Sequence, residues 1–95
     1  MKATILFTTG ERTQTPFHNF GSLKAEVFGS EKAEVEFLSL GDEYLCILAG
    51  SKNGKATENA LATDMACIAD VIYPSEYISG DAILIDNKVY QLLFE

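Results

Sequence analysis

A short polar loop between two apolar segments carries the residues best suited to binding a ligand. It runs from Lys52 to Thr57, with Gly54 in its middle. Glycine lets the backbone turn amide groups inward, and a helix starting just after the loop would favour an anion there. The two lysines add positive charge, and Thr57 and Asn59 can donate hydrogen bonds. The ligand-binding residues predicted in and beside this loop are Lys52, Asn53, Gly54, Lys55, Thr57 and Asn59.

Tyrosines give a second indication of a binding surface. Tyr73 and Tyr77 flank Pro74 in a polar stretch and are predicted to be exposed, where a phenol ring can stack on a base or lie in a protein interface. We therefore add both to the predicted ligand-binding residues. Each feature also has an ordinary explanation. A solvated strand-to-helix connection uses the same Asn-Gly turn chemistry as the loop, and a strand tyrosine often has only a hydrated hydroxyl.

The sequence offers little that could support catalysis or metal binding. His18 is the only histidine, and a single histidine before a helix is more often a surface or capping residue than a base. Cys46 and Cys67 lie in apolar segments and are expected to be small buried residues; a disulfide would require their strands to be neighbours. There is no Cys-x-x-Cys motif, so a zinc site is not expected. We predict a protein with no enzymatic activity, metal or cofactor.

The acidic net charge of the chain indicates which kinds of partner the protein could bind. The 95 residues carry a formal net charge of −7. This charge argues against broad binding to nucleic acid or to an anionic membrane, because both require a basic surface. The N-terminal apolar run is too short for a signal peptide, and no segment is apolar over a bilayer-spanning length. We therefore expect a cytoplasmic protein, and its charge would suit docking on a basic partner.

The hydrophobic pattern predicts one α+β domain spanning residues 1–95, organised around a hairpin at residues 34–50. Apolar and acidic side chains alternate over residues 33–37, as in a strand with one hydrated face. Residues 44–49 are almost wholly apolar, as in a strand covered on both faces. The Gly-Asp-Glu turn at 41–43 joins them. We expect this hairpin to form the centre of the sheet.

Two helices are predicted beside the strands. The main helix covers Asn19–Phe28, where aromatic and aliphatic residues recur near helical spacing, and Asn19 or Ser22 would cap its start. A short second helix covers Glu58–Met65, with Thr57 as its expected cap. The pattern therefore predicts a mostly antiparallel (mixed) sheet of about five to six strands, with one main helix packed on one face and a short second helix.

The remaining segments are predicted as strands or as loop. The polar stretch Thr9–Pro16 is predicted to be a loop. The predicted strands are Lys2–Thr8, the two arms of the 34–50 hairpin, Ala66–Tyr73, Ala82–Ile85 and Val89–Phe94.

Several of these segments also carry a family resemblance that covers most of the chain. They are Met1–Ala3, Leu23–Ser30, Val35–Phe37, Asn53–Lys55 and Gly80–Ile85. The chain resembles a small domain family of unknown function that is found in bacteriophages and conjugative elements, where it also occurs beside antirestriction modules. An Asn-Arg-Ala-Leu segment typical of that family falls on Glu58-Asn59-Ala60-Leu61, whose two polar positions differ. The resemblance implies a phage or plasmid accessory protein that counters host defence in the host cytoplasm, and it implies no catalytic residues.

Two functions of different kinds follow from these observations. The first is a protein without catalytic activity that binds and sequesters a small nucleotide-like immune signal, through a site near a subunit interface of a homo-oligomer. The alternative is an acidic inhibitor that docks on a basic surface of a host defence protein. The acidic residues that would form that docking surface are Glu31, Glu34, Glu36, Asp42 and Glu43.

Overall fold

Residues Met1–Phe94 are described by a computed structural model, which contains a five-stranded antiparallel sheet and three helices. The predicted α+β class is confirmed. The strands are β1 (Lys2–Leu6), β2 (Arg12–Pro16), β3 (Val35–Ser39), β4 (Glu43–Leu48) and β5 (Ala82–Asp86). The helices are α1 (Phe20–Phe28), α2 (Ala60–Ile68) and α3 (Asn87–Phe94).

The strands lie in the order β2-β1-β5-β4-β3, and every neighbouring pair is antiparallel. The predicted hairpin exists as β3 and β4, but it does not form the centre of the sheet. That position belongs to β5, which pairs with β1 on one side and with β4 on the other. Residues 82–85 are all buried, as expected of a strand with neighbours on both sides and layers on both faces.

Alternate residues of the inner strands contribute to two separate cores, one on each side of the sheet. The core shared with α1 and α3 contains Ala3, Phe17, Leu23, Cys46, Ile83, Ile85 and Val89. The core shared with α2 contains Leu6, Leu45, Ile47, Ala62, Ala66, Ile72, Ile78, Ala82 and Leu84. The sheet is therefore the middle layer of three.

The predicted strand Ala66–Tyr73 is wrong, because its first residues form the last turn of α2. Ala62 and Ala66 lie one helical turn apart and are both fully buried against the sheet, where small side chains allow the helix to approach closely. On the opposite side of the helix Ile68 is 86% exposed. The apolar stretch looked like a strand because the end of α2 and the turns after it both contribute residues to one core.

The predicted strand Val89–Phe94 is also wrong, and it forms α3. The carboxylate Oδ1 of Asp86 accepts a hydrogen bond from the Val89 backbone amide at 2.8 Å, as an N-cap residue does. Because β1 and β4 occupy both edges of β5, the chain after Asp86 cannot pair with β5 as a hairpin. It turns back over the sheet as a helix and buries Val89.

The segment Thr9–Pro16 was predicted to be a loop, yet Arg12–Pro16 forms β2. All five residues of β2 pair with β1, although most of their side chains are exposed. Backbone hydrogen bonding to β1 forms this edge strand, and its side chains carry no hydrophobic alternation from which a strand could be predicted.

Cys46 and Cys67 pack in different layers and are both free thiols, so no disulfide joins them. Burial raises the pKa of the Cys46 thiol to about 12, and the positive charge of Lys24 opposes that rise. Cys46 is therefore a neutral, unreactive core residue at physiological pH. Within residues 1–94, every helix is too short or too polar to cross a lipid bilayer.

The raised pKa of Cys46 predicts a loss of stability in alkali. An unfolded thiol ionises near pH 9, whereas the buried thiol ionises near pH 12. This contribution to stability is complete below pH 9 and falls between those values by up to about 1.4 kcal/mol per pH unit. In urea titrations from pH 8 to 11, Cys46→Ala should show a shallower decline than wild type, although other groups titrate in both. Parallel declines in the two proteins would contradict this assignment.

Candidate functional site

The loop singled out from the sequence is fixed against the segment just before β5. Isolated bridges pair Lys52 with Ile78 and Glu58 with Ser79. Backbone hydrogen bonds reinforce them, including one of 2.8 Å from the Gly80 amide to the Thr57 carbonyl. Residues 77–80, which are distant from the loop in sequence, thus hold it in one conformation.

Three of the predicted ligand-binding residues form hydrogen bonds inside this loop assembly. Asn53 has a left-handed backbone (φ 55°), and its Oδ1 accepts from the Tyr77 amide at 3.0 Å. The Tyr77 hydroxyl donates to the Gly54 carbonyl at 2.8 Å. A Cβ at Gly54 would collide with the Ser79 hydroxyl, so only glycine fits there. The structure brings Asn53, Gly54 and Tyr77 together, with their polar groups bonded to one another.

Asn59 is fully buried, and its side chain joins three parts of the fold. Its Oδ1 accepts from the Ala62 amide at 3.1 Å, so Asn59, and not Thr57, caps α2. Its Nδ2 donates to the carbonyls of Leu6 at 2.8 Å and Gly80 at 3.0 Å. The amide group is therefore fully used within the protein, and the start of α2 is occupied by this network.

A cavity of about 310 Å³ lies beside the loop, where the ends of α1 and β4 meet it. Of the predicted residues, Gly54 and Lys55 line this cavity. Val27 and Phe28 at the end of α1 supply an apolar wall. The other lining residues are Leu48, Ala49, Gly50, Ser51, Ala56, Ser79, Gly80 and Asp81.

The cavity contains polar groups that the fold leaves without partners. The Ser51 hydroxyl is buried and has no hydrogen-bond partner among the described residues. Neither of the backbone amides of Lys55 and Ala56 donates to another group within residues 1–94. By contrast, Ser79 Oγ donates to the Ser51 carbonyl at 2.9 Å, and Asp81 Oδ1 accepts from the Thr8 amide at 3.0 Å. Lys55 and Ala56 are exposed residues of the cavity lining, whereas the Ser51 hydroxyl lies beneath its surface.

Ser51 and Phe28 are cavity residues that the sequence analysis missed. Ser51 directly follows the apolar segment of the hairpin, and a polar residue at the end of a buried strand is a common position for a ligand contact. Phe28 lies among the aromatic and aliphatic residues that recur at helical spacing in the predicted main helix, a pattern typical of core residues. Only the packing shows that its half-exposed side chain also forms a wall of the cavity.

The remaining predicted residues lie elsewhere. Lys52 and Tyr73 line a second cavity of about 350 Å³, together with Asp70 and Glu76. Tyr73 is 73% exposed, as predicted. Tyr77 was also expected to be exposed but is partly buried, because its hydroxyl donates to the Gly54 carbonyl within the loop assembly. Thr57 is exposed and lines neither of these two cavities. The two lysines of the loop therefore line different cavities: Lys55 the first and Lys52 the second.

Other aromatic residues gather at the end of the sheet that carries β3. Tyr44 and Tyr90 stack with ring centroids 3.8 Å apart, and Phe37 contacts Tyr90 and Phe94. Phe20 of α1 completes the group. The acidic residues of the second hypothesis are all exposed near this hairpin: Glu31, Glu34, Glu36, Asp42 and Glu43.

Groups that could carry out a reaction are not gathered at the cavity. His18 is exposed ahead of α1, Cys46 is buried in a core, and neither lines the cavity. Among residues 1–94, no group of three or more His, Cys, Asp or Glu side chains could hold a metal ion. The chain matches no family model, and no curated protein or solved structure is significantly similar to it. The candidate site is therefore defined by its own geometry.

The Asn59 network should contribute more to stability than an ordinary helix cap. Asn59→Ala removes the cap and leaves buried carbonyls without donors, so we expect a loss of about 2–4 kcal/mol in the free energy of unfolding. Asn19→Ala is the matched control. Asn19 caps α1 through the Ser22 amide but is exposed, and its loss should cost about 1 kcal/mol. Equal losses in urea titrations would show that the buried hydrogen bonds add nothing.

Proposed function

We propose that this protein binds and sequesters a small nucleotide-like ligand without altering it chemically. The observation that carries this proposal is the cavity beside the loop, where Lys55 accompanies the unpartnered Ser51 hydroxyl. A buried hydroxyl without a partner is energetically unfavourable. An incoming acceptor, such as a phosphate or ribose oxygen, would remove that penalty.

The lining of the cavity contains both apolar and polar residues, which suit the two chemical parts of a nucleotide. Phe28 and Val27 offer an apolar wall to a base or sugar ring. Elsewhere in the lining, the Lys55 ammonium and the amides of Lys55 and Ala56 could receive a phosphate group. At about 310 Å³, the cavity lies at the lower end of the range for small-molecule sites. It would hold part of a nucleotide rather than a whole dinucleotide.

The size of the cavity favours a homo-oligomer in which a second subunit covers the bound ligand. Leu48, on the cavity wall, is 39% exposed although it is a large apolar residue. Covering it would bury apolar surface and enclose the ligand at the same time.

The composition of the cavity favours binding over catalysis. Among residues 1–94, the ionisable side chains that line it are Lys55 and Asp81, and Asp81 already accepts a backbone hydrogen bond. A nucleophile with an adjacent base is the usual minimum for hydrolysis of such ligands. The role in counter-defence comes from the resemblance to the phage and conjugative-element family. Sequestering an immune signal needs affinity alone, which this cavity could supply.

Calorimetry against a panel of cyclic mononucleotides, cyclic dinucleotides and ADP-ribose nucleotides at low salt tests the proposal. At least one should bind and be recovered unchanged by chromatography. Lys55→Ala and Ser51→Ala should each weaken binding by about tenfold, because each removes a donor from the cavity. Lys52→Ala is the matched control, since Lys52 lies in the same loop but lines the other cavity.

Two results would overturn this function. If no member of the panel binds, the cavity is not a nucleotide site. If a ligand binds but is recovered as a different compound, the protein is an enzyme and does not act by sequestration.

A further inference from the structure

The outer edge of the sheet at β3 presents unpaired backbone groups. β3 is the last strand in the sheet and pairs only with β4. The Glu34 carbonyl accepts from the Ala49 amide, and the Leu40 amide donates to the Glu43 carbonyl, each at 2.8 Å. Hydrogen bonding alternates along an antiparallel strand, so the backbone amides and carbonyls of the even-numbered residues of β3 point toward β4. The amides and carbonyls of Val35, Phe37 and Ser39 therefore face outward.

The two edges of the sheet are not equivalent. The other edge strand, β2, ends in Pro16, which has no amide to donate, and starts with Arg12. Proline and a charged residue are common devices against unwanted strand pairing. β3 also contains a charged residue, Glu36, but it has no proline, so each of its outward-facing residues keeps an amide with which an added strand can pair.

The two faces of β3 differ sharply in chemistry. On one face, the Phe37 ring lies 5.0 Å from the Phe94 ring and 5.4 Å from the Tyr90 ring, and Phe94 is 48% exposed. On the other face, Glu34 and Glu36 are both exposed. A strand added beside β3 would have an apolar residue next to the aromatic group and a basic residue next to each carboxylate.

We propose that the β3 edge binds an extended segment of another protein in which apolar and basic residues alternate. Backbone pairing with Val35, Phe37 and Ser39 supplies affinity, and the alternation selects the sequence. Charge complementarity identifies the partner as basic. Residues 31–50 carry five acidic side chains against Lys32, a net charge of −4, which also accelerates association with a positive segment.

A second copy of this chain fits the edge poorly. Antiparallel pairing of two β3 strands that keeps both aromatic faces on one side brings Glu34 and Glu36 near their counterparts in the other copy. Like charges at such positions are destabilising. This surface is separate from the cavity that contains Lys55, so the two proposals can fail independently.

Two synthetic peptides test this inference on the 95-residue protein. Each has about nine residues; one alternates valine with lysine and the other alternates valine with glutamate. By fluorescence anisotropy, the lysine peptide should bind with salt-sensitive affinity and the glutamate peptide at least about tenfold more weakly. Hydrogen exchange should show that the lysine peptide protects the amides of Val35 and Phe37. Equal binding of both peptides, or no protection of these amides, would overturn the proposal.

Variants separate the side-chain and backbone contributions. Glu34→Lys with Glu36→Lys should reverse the preference between the peptides. Glu11→Lys with Asp64→Lys is the matched control, because both are exposed acids outside β3, and it should keep the original preference. Ser39→Pro removes one outward amide without breaking the β4 ladder and should weaken binding about tenfold.

The same proteins also test whether a second copy of this chain occupies the β3 edge. In sedimentation experiments, wild type should form no more dimer than the Ser39→Pro variant does. A concentration-dependent dimer that this substitution abolishes would overturn the proposal, because a second copy would then occupy the edge. If Ser39→Pro does not fold, the charge-reversal pair still decides the outcome.

Discussion

The buried amide of Asn59 is the interaction on which the arrangement of this fold depends. It caps α2 and donates to the carbonyls of Leu6 and Gly80. One side chain therefore sets the start of α2, the end of the inner strand β1 and the approach to the central strand β5. A buried amide must satisfy all its hydrogen-bonding groups to avoid a large desolvation penalty. Few relative positions of α2, β1 and β5 meet that condition.

The position of β5 follows from the same constraint and determines the rest of the topology. Once Gly80 is held beside Leu6, the chain enters the sheet between β1 and β4. Both edges of β5 are then occupied, so the C-terminal segment cannot pair with β5 and forms α3 instead. The hairpin formed by β3 and β4 is displaced to the outside. Its outer strand thereby becomes the open edge, and its aromatic residues meet those of α3.

The loop before α2 shows how structural and binding roles divide within a few residues. Asn53, Gly54 and Tyr77 hold the loop in place, while Lys55 lines the cavity and the buried Ser51 hydroxyl has no partner among the described residues. A rigid loop can present donors to a ligand without losing conformational freedom on binding. Half of the residues that the sequence predicts to bind a ligand thus stabilise the fold instead. They are Asn53, Gly54, Asn59 and Tyr77. Ser51, a residue of no obvious interest there, is the unpartnered group.

The sequence by itself determined the features that depend on near neighbours along the chain. These are the α+β class, the hairpin, the strand at residues 82–85, and α1 with one of its two expected caps, Asn19, in place. Hydrophobic period, turn residues and capping side chains act over a few positions and can be recognised in one dimension.

Only the tertiary structure decided which strand is central, whether residues 66–73 and 89–94 are helical or extended, and that polar residues 12–16 form an edge strand. It also decided that Asn59 is buried while the Ser51 hydroxyl lacks a partner. The physical reason is that strand pairing and hydrogen-bond satisfaction are settled by groups that are distant in sequence. Asn59 and Leu6, 53 residues apart, meet only when the whole sheet has formed.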